Sequence, residues 1–382
     1  MASPRILVLN AGSSSLKASL IETPDLTLGR VEESWGADAS RSGDREGGLL
    51  AALHGVGVDV RDAQAAGLDA VGYRVVHGGA RFDAPARIDD DVVAAIGVVS
   101  GLAPLHNGVA LETIAAGRRL LPDVPHVACF DTAFHATLDP AAYRYPLPER
   151  WFRDWGIRRF GFHGLSVAWS ARRAAELMGR PPDDLSLVVA HLGSGSSVTA
   201  VVDGRSVDTS MGLTPLEGLM MGTRSGSIDP GVPFHVMSQG LASADEVADA
   251  LDHGSGLLGV SGFSGDMREL QAAADAGGEP AALAIEMFVR RASAWIAFVA
   301  TALPRLDAVV FTAGIGENAA PVRRRIVARL GVLGVGPLPE TERPLTEDAR
   351  LDDDSGTVAV LVVRAREDLV IAAECLRLLK PG

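Results

Sequence analysis

The sequence predicts an α/β protein built from two domains of similar plan. Residues 5–20 read RILVLNAGSSSLKASL, an apolar run followed by a small-residue turn and a second run with alternating apolar residues. Residues 185–202, LSLVVAHLGSGSSVTAVV, repeat this order about half a chain later. Each segment is typical of a β-strand, a Gly/Ser turn and a returning strand. Because an internal repeat indicates repeated structural units, we expect a duplicated architecture.

The remaining segments supply helices and a further strand. Apolar residues recur at helical spacing over 108–120 and 166–179, and a long helix is expected at about 279–303. Residues 308–318, AVVFTAGIGEN, predict a third strand followed by a Gly-rich turn. Residues 32–66 predict a loop with a short helix, and the proline-containing segment 139–150 predicts a hinge or a domain crossing. Strands that alternate with helices indicate the α/β class.

Length, charge and hydropathy exclude several classes of protein. A chain of 382 residues, 47% of them hydrophobic, has material for two domains of roughly 150 residues each. The net charge of −13 and the lack of a Lys/Arg-rich run argue against a nucleic-acid partner. The longest apolar stretch, 294–303, is too short for a membrane span, which needs about 20 residues. We therefore expect neither nucleic acid nor membrane as a partner.

Cysteine usage and the N-terminus predict a cytoplasmic protein. Cys129 and Cys375 are the only cysteines, too few for a disulfide framework or a cysteine-built metal site. The N-terminal residues run directly into an apolar strand-like stretch without the layout of a signal peptide.

Three Gly-rich turns that follow apolar strands are candidate phosphate sites: residues 10–17, 191–197 and 314–318. Glycine permits close backbone approach, so successive N–H groups can point at one anion. Lys17 is one of only two lysines in the chain and lies in the first turn. None of the turns matches the Walker A or GxGxxG pattern. A plain hairpin is the alternative for each, but three in one chain favour a nucleotide held between two domains.

Several segments concentrate residues of catalytic type. Arg74 and Arg224 lie in glycine-flanked contexts, where a guanidinium can grip a carboxylate or phosphate with two hydrogen bonds. His163 lies between Phe162 and Gly164, and Asp131 ends an apolar stretch. The alternatives are structural: the arginines can bind loop carbonyls and Asp131 can cap a helix. The histidines at 77, 106 and 135 are expected to be core or loop residues.

Taken together, these segments resemble the acetate kinase family, phosphotransferases that use a carboxylate as acceptor. The resemblance covers nearly the whole chain, in the family's order. Its motifs are VLNAGSSSLK (8–17), GYRVVHGG (72–79), LAPLHN (102–107), FDTAFHATLDP (130–140), RRFGFHG (158–164), HLGSGSS (191–197), TSMGLTPLEGLMMGTRSG (209–226), SGLLGVSGFSGDMR (255–268) and FTAGIGEN (311–318).

The resemblance implies the fold and the partners. It implies the duplicated actin/sugar-kinase/Hsp70-type (ribonuclease H-like) fold, with two domains around a cleft. The expected domains are 1–147, joined by a C-terminal helix at 370–382, and 148–369, which binds the nucleotide. ATP/ADP would be the co-substrate, Mg²⁺ or Mn²⁺ the metal, acetate the acceptor, and a homodimer the assembly.

The resemblance also implies roles for individual residues. Arg74 and Arg224 would grip the carboxylate and the migrating phosphoryl group, and His163 would stabilise the equatorial oxygens. Asp131 would orient the acceptor or hold the metal region, where Glu367 and Asn10 are the implied metal residues. The other implied sites are a phosphate turn of Asn10, Ser13 and Ser15, and ATP contacts from Lys17, His191, Gly193, Ser194, Gly195, Asp266, Met267, Arg268, Gly314, Ile315, Gly316 and Asn318.

A small pocket would take the methyl group of acetate. Its implied residues are Val76, Leu105, Phe162 and Pro215, and Val76 in place of alanine favours acetate over propionate. Discrimination there is weak because one methylene is worth only about 1–3 kcal/mol. Propionate or butyrate kinase is therefore an alternative function.

Several positions depart from the family's pattern, and around Glu367 the usual PTNEE reads RARED (364–368). Ser194 stands where Asn is usual and Ser227 where Asp is usual, and Leu165 and Val167 occupy positions that are normally polar. These departures motivate a third hypothesis, a nucleotide-binding homologue without catalysis. The retained Arg74, Arg224 and His163 favour an active enzyme.

Overall fold

The computed structural model describes residues 3–12, 15–34, 42–60, 67–340, 345–352 and 356–379; the side chains of residues 42–44 and 104–105 are also outside the description. The strands in these ranges are β1 (Arg5–Ala11), β2 (Ser15–Glu22), β3 (Leu26–Ser34), β4 (Leu68–Val75), β5 (Ala86–Arg87), β6 (His126–Phe130), β7 (Ser186–Leu192), β8 (Ser196–Val202), β9 (Arg205–Thr209), β10 (Ala308–Thr312), β11 (Ala349–Arg350) and β12 (Ala359–Val362). The α-helices are α1 (Ser42–Gly55), α2 (Asp90–Val99), α3 (Pro104–Leu120), α4 (Pro140–Tyr143), α5 (Glu149–Trp155), α6 (Gly164–Met178), α7 (Gly231–Ser238), α8 (Ala244–His253), α9 (Gly256–Ser261), α10 (Met267–Asp275), α11 (Glu279–Ala300), α12 (Ala313–Asn318), α13 (Ala320–Val327) and α14 (Glu367–Leu379).

The chain divides into two compact units. The first unit comprises Met1–Ala136, Phe162–Leu165 and Arg366–Gly382, and the second comprises Thr137–Gly161 and Ser166–Ala365. The sequence-based domains 1–147 with 370–382, and 148–369, stay a prediction.

Each unit contains one six-stranded mixed sheet, and the two sheets have the same order. In the first, β3-β2-β1-β4-β6-β5, three antiparallel strands are followed by β4 and β6, which run parallel to β1. In the second, β9-β8-β7-β10-β12-β11, β7 heads an antiparallel set of three and β10 and β12 run parallel to it. The duplication that the sequence echo predicted is therefore confirmed, together with the α/β class.

The parallel strands determine where side chains can converge. Parallel neighbours end at the same edge of a sheet, and in α/β sheets ligands bind outside these carboxyl ends. In the first unit that edge is formed by the ends of β1, β4 and β6, and in the second by the ends of β7, β10 and β12. Candidate site residues follow these strand ends in both units.

The first unit packs helices against its sheet. Leu49 and Leu53 of α1 and Ile114 of α3 are buried in one core with strand residues such as Leu7. At Gly72 of β4, an added Cβ would lie 2.5 Å from Ile371 Cγ2 of α14. Glycine at this position lets α14 lie directly on the sheet, and this contact fixes Glu367 at the start of α14.

The core of the second unit is organised by α11. Its buried residues recur three or four apart, including Ala281, Ile285, Phe288, Ala292 and Ile296, which is the spacing of one helix face. They form one core with residues of β7, β8 and β10. The long helix predicted at about 279–303 is present at Glu279–Ala300. In the described part of the chain, no helix has the length and apolar character that crossing a membrane requires.

Residues 314–318 were expected to form a Gly-rich turn, and that expectation is wrong. They belong to α12, which begins directly after β10. The change of direction is made by Ala313, whose φ of 66° is left-handed. Gly316 is buried, and an added Cβ there would lie 3.6 Å from Ala190 O of the neighbouring strand. This is an ordinary van der Waals distance, so a Cβ would fit at residue 316 and the glycines of this segment lie within a helix.

Candidate active site

A polar cluster lies at the carboxyl edge of the first sheet. Arg74 is near the end of β4, Asp131 follows β6, and Asn10 is near the end of β1. Arg74 Nε lies 3.2 Å from Asp131 Oδ1 and 3.1 Å from Oδ2, and Nη2 donates to Oδ2 at 2.6 Å. Asp131 is fully buried, and the Arg74 side chain is 19% exposed. The pair is therefore held by several hydrogen bonds with little access to solvent.

Asn10 and Glu367 complete this cluster. Arg74 Nη1 donates to Asn10 Oδ1 at 3.3 Å, and Arg74 Nε lies 3.6 Å from Glu367 Oε2. Asn10 Nδ2 donates to Glu367 Oε2 at 3.0 Å. We call Asn10, Arg74, Asp131 and Glu367 the arginine cluster. The structure thus joins four predicted site residues that are as far apart in sequence as positions 10 and 367.

Charges within the arginine cluster shift its pKa values. Burial raises the pKa of Asp131 and the charge of Glu367 adds to this effect, while Arg74 opposes it. Burial disfavours the charged form of Arg74, but Asp131 and Glu367 outweigh it and raise the pKa of Arg74. The guanidinium therefore stays charged, with its orientation fixed by two carboxylates.

His163 is tied to the same cluster through its main chain. Its φ of 59° is left-handed, which is uncommon for a residue other than glycine. The Asp131 carboxylate accepts a hydrogen bond from the His163 backbone, and Gly164 N donates to Asp131 O at 3.0 Å. A Cβ on Gly164 would overlap Asp131 O, so residue 164 needs to be glycine. Asp131 thus fixes both the side chain of Arg74 and the backbone of His163.

The predicted acyl pocket is described in part. Phe162 and Val76 are buried in the first unit, and the Phe162 ring contacts His77 edge-on at a centroid distance of 5.2 Å. His135 Nε2 lies 3.0 Å from Phe162 O, so the buried His77 contacts the ring of Phe162 and the buried His135 contacts its main chain. The Leu105 side chain lies outside the described residues, and Pro215 belongs to the second unit.

Of the described residues in the first phosphate turn, Asn10 belongs to the arginine cluster, whereas Ser15 and Lys17 contact Glu32. Ser15 Oγ donates to Glu32 Oε1 at 3.0 Å, and Lys17 Nζ lies 3.8 Å from the same oxygen. The Lys17 side chain is 59% exposed. Ser13 lies outside the described residues.

In the second unit, three candidate nucleotide segments lie side by side. An added Cβ on Gly193, after β7, would lie 3.6 Å from Ala313 Cβ at the start of α12. Gly222 N donates to Ser194 O at 3.0 Å, and a Cβ on Gly265 would lie 2.8 Å from Gly222 O. The turn at 193–195 therefore lies beside the start of α12, and Gly222 links it to the 265–268 segment.

These segments are held by internal hydrogen bonds. Ser196 Oγ donates to Gly193 O at 3.1 Å, and Asn318 Nδ2 donates to Gly314 O at 2.9 Å. Asp266 caps α10 by accepting from Arg268 N at 2.8 Å. Arg268 is exposed, whereas Met267 is buried in the core of the unit. Met267 therefore anchors the 265–268 segment to the core of the second unit.

Two contacts in this region were not found from the sequence. His191 Nδ1 lies 2.8 Å from Ser166 Oγ, and the buried Arg323 donates through Nη1 to Gly316 O at 2.8 Å. Ser166 lies two residues after the motif RRFGFHG (158–164), and this position could have indicated that it belongs to the site. Arg323 follows α12 in an arginine-rich helix and gives no signal in the sequence.

Arg224 differs from Arg74 in its partners. Its Nη1 donates to Pro215 O at 3.3 Å and lies 3.9 Å from Met221 Sδ. Among the residues that the structure describes, no carboxylate is within ion-pair distance of this guanidinium, and Asp252 acts on it only at longer range. Burial lowers the pKa of Arg224. No carboxylate of the described residues therefore neutralises its charge at close range.

The structure places four residues that depart from the family's pattern, and burial accounts for the apolar side chains at 165 and 167. Ser227 Oγ accepts from Gly218 N at 3.1 Å, a contact that needs only an oxygen acceptor. Leu165 and Val167, in the first turn of α6, are buried, so apolar side chains fit there. Ser194 uses its main-chain oxygen to bind Gly222.

The duplicated sheet and its helices define a class of α/β protein, the actin/sugar-kinase/Hsp70 type. The model of the acetokinase family matches residues 5–373, and the chain belongs to this family.

Named relatives agree with this assignment. The chain is 46% identical over 386 residues to the acetate kinase of Deinococcus radiodurans, covering 96% of each protein. The Porphyromonas gingivalis acetate kinase structure matches with a TM-score of 0.86 at 33% identity, covering 99% of this chain and 100% of that one. A propionate kinase from Francisella tularensis matches with a TM-score of 0.87 at 36% identity, covering 97% and 98%.

Family membership identifies the type of reaction. The chain is a kinase that transfers phosphate to a carboxylate, with ATP and ADP as co-substrate. The prediction of an acetate kinase is supported over its alternatives by curated relatives that carry this name at 41% to 47% identity.

Proposed function

We propose that this enzyme catalyses reversible, in-line phosphoryl transfer between ATP and acetate, giving acetyl phosphate and ADP. The observation that carries the proposal is the arginine cluster, in which a buried carboxylate orients a charged guanidinium at a strand-end edge. Arg224, whose guanidinium has no carboxylate partner among the described residues, supplies a second positive charge. Two positive charges suit a reaction in which anionic substrates must be bound and the charge of the transferring phosphoryl group neutralised.

The residues divide the work of phosphoryl transfer. This chemistry asks the protein for positioning and for neutralisation of charge on the equatorial oxygens. Arg74 would bind the acceptor carboxylate, Arg224 the migrating phosphoryl group, and His163 its equatorial oxygens. Asp131 acts on both Arg74 and the His163 backbone and so sets their geometry. No general base is needed because a carboxylic acid is already ionised near neutral pH.

The donor atoms near Glu367 fit a divalent cation of the Mg²⁺ type. In the described ranges, no group of three or more His, Cys, Asp and Glu side chains forms a metal site by itself. Mg²⁺ does not require one, because it is bound by one or two carboxylates together with substrate phosphates. Asn10 and Glu367 are joined by a 3.0 Å hydrogen bond and offer amide and carboxylate oxygens. They would hold Mg²⁺ or Mn²⁺, which when bound neutralises charge on the phosphate oxygens.

The second unit would bind the nucleotide. The segments 193–195, 265–268 and 313–318 would offer backbone groups to phosphates and ribose, with His191 beside the first of them. Gly193 and Gly314 allow close approach of a ligand to the main chain. Asp266, Arg268, Ile315 and Asn318 would line the adenosine. Lys17, Ser13 and Ser15 remain proposed phosphate contacts from the first unit.

We also propose a homodimer and a cytoplasmic location. Exposed apolar side chains occur on α7 and just after it, where Val232, Phe234 and Leu241 are 50%, 69% and 73% exposed. Exposed apolar side chains can mark protein–protein contacts. The two cysteines are unpaired and buried, as suits a reducing compartment.

Steady-state kinetics with a matrix of phosphate donors and short carboxylic acids tests the proposed reaction. We expect the highest kcat/KM with ATP and acetate, a smaller value with propionate, and dependence on added Mg²⁺. A higher kcat/KM for butyrate than for acetate would contradict the acceptor assignment. Absence of turnover with every acid, together with measurable ATP binding, would instead support the non-catalytic homologue.

A further inference from the structure

The loop that follows β9, residues 210–217, is held by side chains from an earlier segment of the second unit. Arg159 Nη1 donates to Ser210 O at 3.0 Å and to Met211 O at 2.9 Å. Phe160 N donates to Gly212 O at 2.9 Å. Three successive carbonyls of the loop are therefore fixed by residues 159 and 160.

The far end of the loop is fixed through Glu217. Arg159 Nη2 donates to Glu217 Oε1 at 2.8 Å, and the Tyr145 hydroxyl donates to Glu217 Oε2. The Tyr145 oxygen in turn accepts from Leu213 N at 2.9 Å. Burial and the charge of Glu217 raise the pKa of Tyr145, so its hydroxyl stays protonated and can donate. We call Tyr145, Arg159 and Glu217 the loop clamp.

The sequence of the loop is adapted to the loop clamp. A Cβ on Gly212 would overlap both Glu217 Oε2 and the Tyr145 oxygen. The side chains of Arg159 and Glu217 are only 13% and 29% exposed, so their ion pair is largely shielded from water. A shielded ion pair holds its two side chains in one arrangement better than an exposed pair does, because water competes less for their hydrogen bonds.

The loop leads to a residue of the proposed reaction. Pro215 lies between the clamped positions 213 and 217, and its carbonyl accepts from Arg224 Nη1 at 3.3 Å. Beyond Glu217, Gly218 N donates to Ser227 Oγ and Ser227 N donates to Gly218 O. A shift of the loop would therefore move both the carbonyl that holds Arg224 and the proposed pocket residue Pro215.

We propose that Tyr145, Arg159 and Glu217 are positioning residues that set the place of Pro215 and, through its carbonyl, the guanidinium of Arg224. The inference rests on the proposed function, because it assigns the clamp to the carboxylate and phosphoryl side of that reaction. None of the three residues needs to touch a substrate. Their effect is expected on catalysis and on the carboxylate, with nucleotide affinity spared.

Kinetics of Glu217→Gln, Tyr145→Phe and the double variant test this assignment, with thermal unfolding used to measure the folded fraction. We expect kcat/KM for acetate to fall about tenfold to hundredfold, as for a small misplacement of a reacting group. KM for acetate should rise while KM for ATP changes by less than about twofold. The double variant should be no worse than the poorer single variant by more than about twofold, because the residues act as one unit.

Glu286→Gln is the matched control, since it removes the same charge from an arginine pair of the same unit, Glu286 with Arg325 and Arg329. It should behave as the unchanged chain. A kcat loss that only follows the folded fraction, with both KM values unchanged, would overturn the inference, as would equal rises in both KM values. An unchanged chain that forms no acetyl phosphate would overturn the proposed function and the inference with it.

Discussion

His163 combines backbone strain with a proposed catalytic role. Its left-handed φ of 59° costs about 1–3 kcal/mol for a residue that is not glycine, and such strain persists only where the surroundings impose it. Asp131 imposes it by binding the backbone of residues 163 and 164. The imidazole is therefore presented from a fixed main chain beside the arginine cluster.

Replacing His163 by Asn separates the strain from the chemistry. Asn tolerates the left-handed conformation better than most residues, so His163→Asn should keep a Tm close to that of the unchanged chain. Its kcat should fall about 100-fold or more, the usual loss for one donor to transition-state charge. Measurements of kcat and Tm check this, and His163→Val, which suits neither role, should lower both. A kcat that His163→Asn leaves unchanged would remove His163 from the reaction.

The two predicted arginines differ in ways that the sequence does not reveal. Both lie in glycine-flanked motifs, and both were open to a structural interpretation as carbonyl binders. Arg74 is bound by Asp131 and Glu367, whereas Arg224 does bind a carbonyl, that of Pro215. The structural interpretation, that the arginine binds a loop carbonyl, is therefore correct for Arg224. No carboxylate of the described residues pairs with its guanidinium.

At the scale of elements, the start of β7 depends on Asp307. Its carboxylate accepts from Ser186 N at 2.8 Å and from Arg180 Nη1 at 3.0 Å, and it also pairs with Arg305. Burial opposes the charged form of Asp307, but these donors outweigh it and lower its pKa. Asp307 thus anchors the strand that leads to His191.

The lowered pKa of Asp307 determines how its contribution to the free energy of unfolding depends on pH. A depressed carboxylate pKa stabilises the fold above the unfolded value of about 3.9, and this stabilisation is lost as the pH falls through the folded value. Asp307→Asn should therefore lower the free energy of unfolding by about 1–3 kcal/mol at pH 7. The difference from the unchanged chain should shrink below about pH 4.

Urea unfolding across this pH range checks the Asp307 prediction. Asp184→Asn is the control, because Asp184 pairs with the same two arginines but its side chain is 55% exposed. It should change the free energy of unfolding by less than about 0.5 kcal/mol. An equal effect of the two substitutions, or a loss for Asp307→Asn that persists in acid, would contradict the account.

The sequence predicted elements well where patterns were local. The echo at 5–20 and 185–202 predicted the duplicated sheets, and the apolar spacing predicted α11 with an end three residues too far along. The segment 314–318 was misread because a Gly-rich segment after a strand is typical of a turn, whereas here the chain changes direction at Ala313 and the glycines lie in α12. Contacts such as Arg323 with Gly316 O depend on tertiary placement, which local patterns do not carry.

At the scale of the whole molecule, the same sheet order occurs twice with different residues at each carboxyl edge. The first unit concentrates charged side chains around Arg74, and the second concentrates glycines and backbone groups. Under the proposed function, Arg74 in the first unit would bind the carboxylate, and the second unit would bind the nucleotide and supply Pro215 and Arg224. The net charge of −13 makes these local positive charges important for anionic substrates.

The exposed apolar residues on and just after α7, Val232, Phe234 and Leu241, are the basis of a prediction about the homodimer. Phe234→Glu with Leu241→Glu should convert a dimer into a monomer, because buried, unpaired carboxylates would oppose association. Sedimentation equilibrium measures the change. Val332→Glu is the control, since Val332 is 90% exposed and lies away from α7 in sequence. A chain that is monomeric without substitutions, or a double variant that stays dimeric, would refute this surface as the interface.

The central claim is that this chain phosphorylates acetate with Arg224 as a required charge. Acetyl phosphate formed from ATP and acetate can be trapped as the hydroxamate and measured for the unchanged chain, Arg224→Ala and Arg153→Ala. Arg153 is the control because its side chain is 68% exposed and pairs with the neighbouring Asp154. The account predicts rapid hydroxamate formation by the unchanged chain and Arg153→Ala, and a loss of at least about 100-fold in Arg224→Ala. Equal hydroxamate formation by the unchanged chain and Arg224→Ala would contradict it.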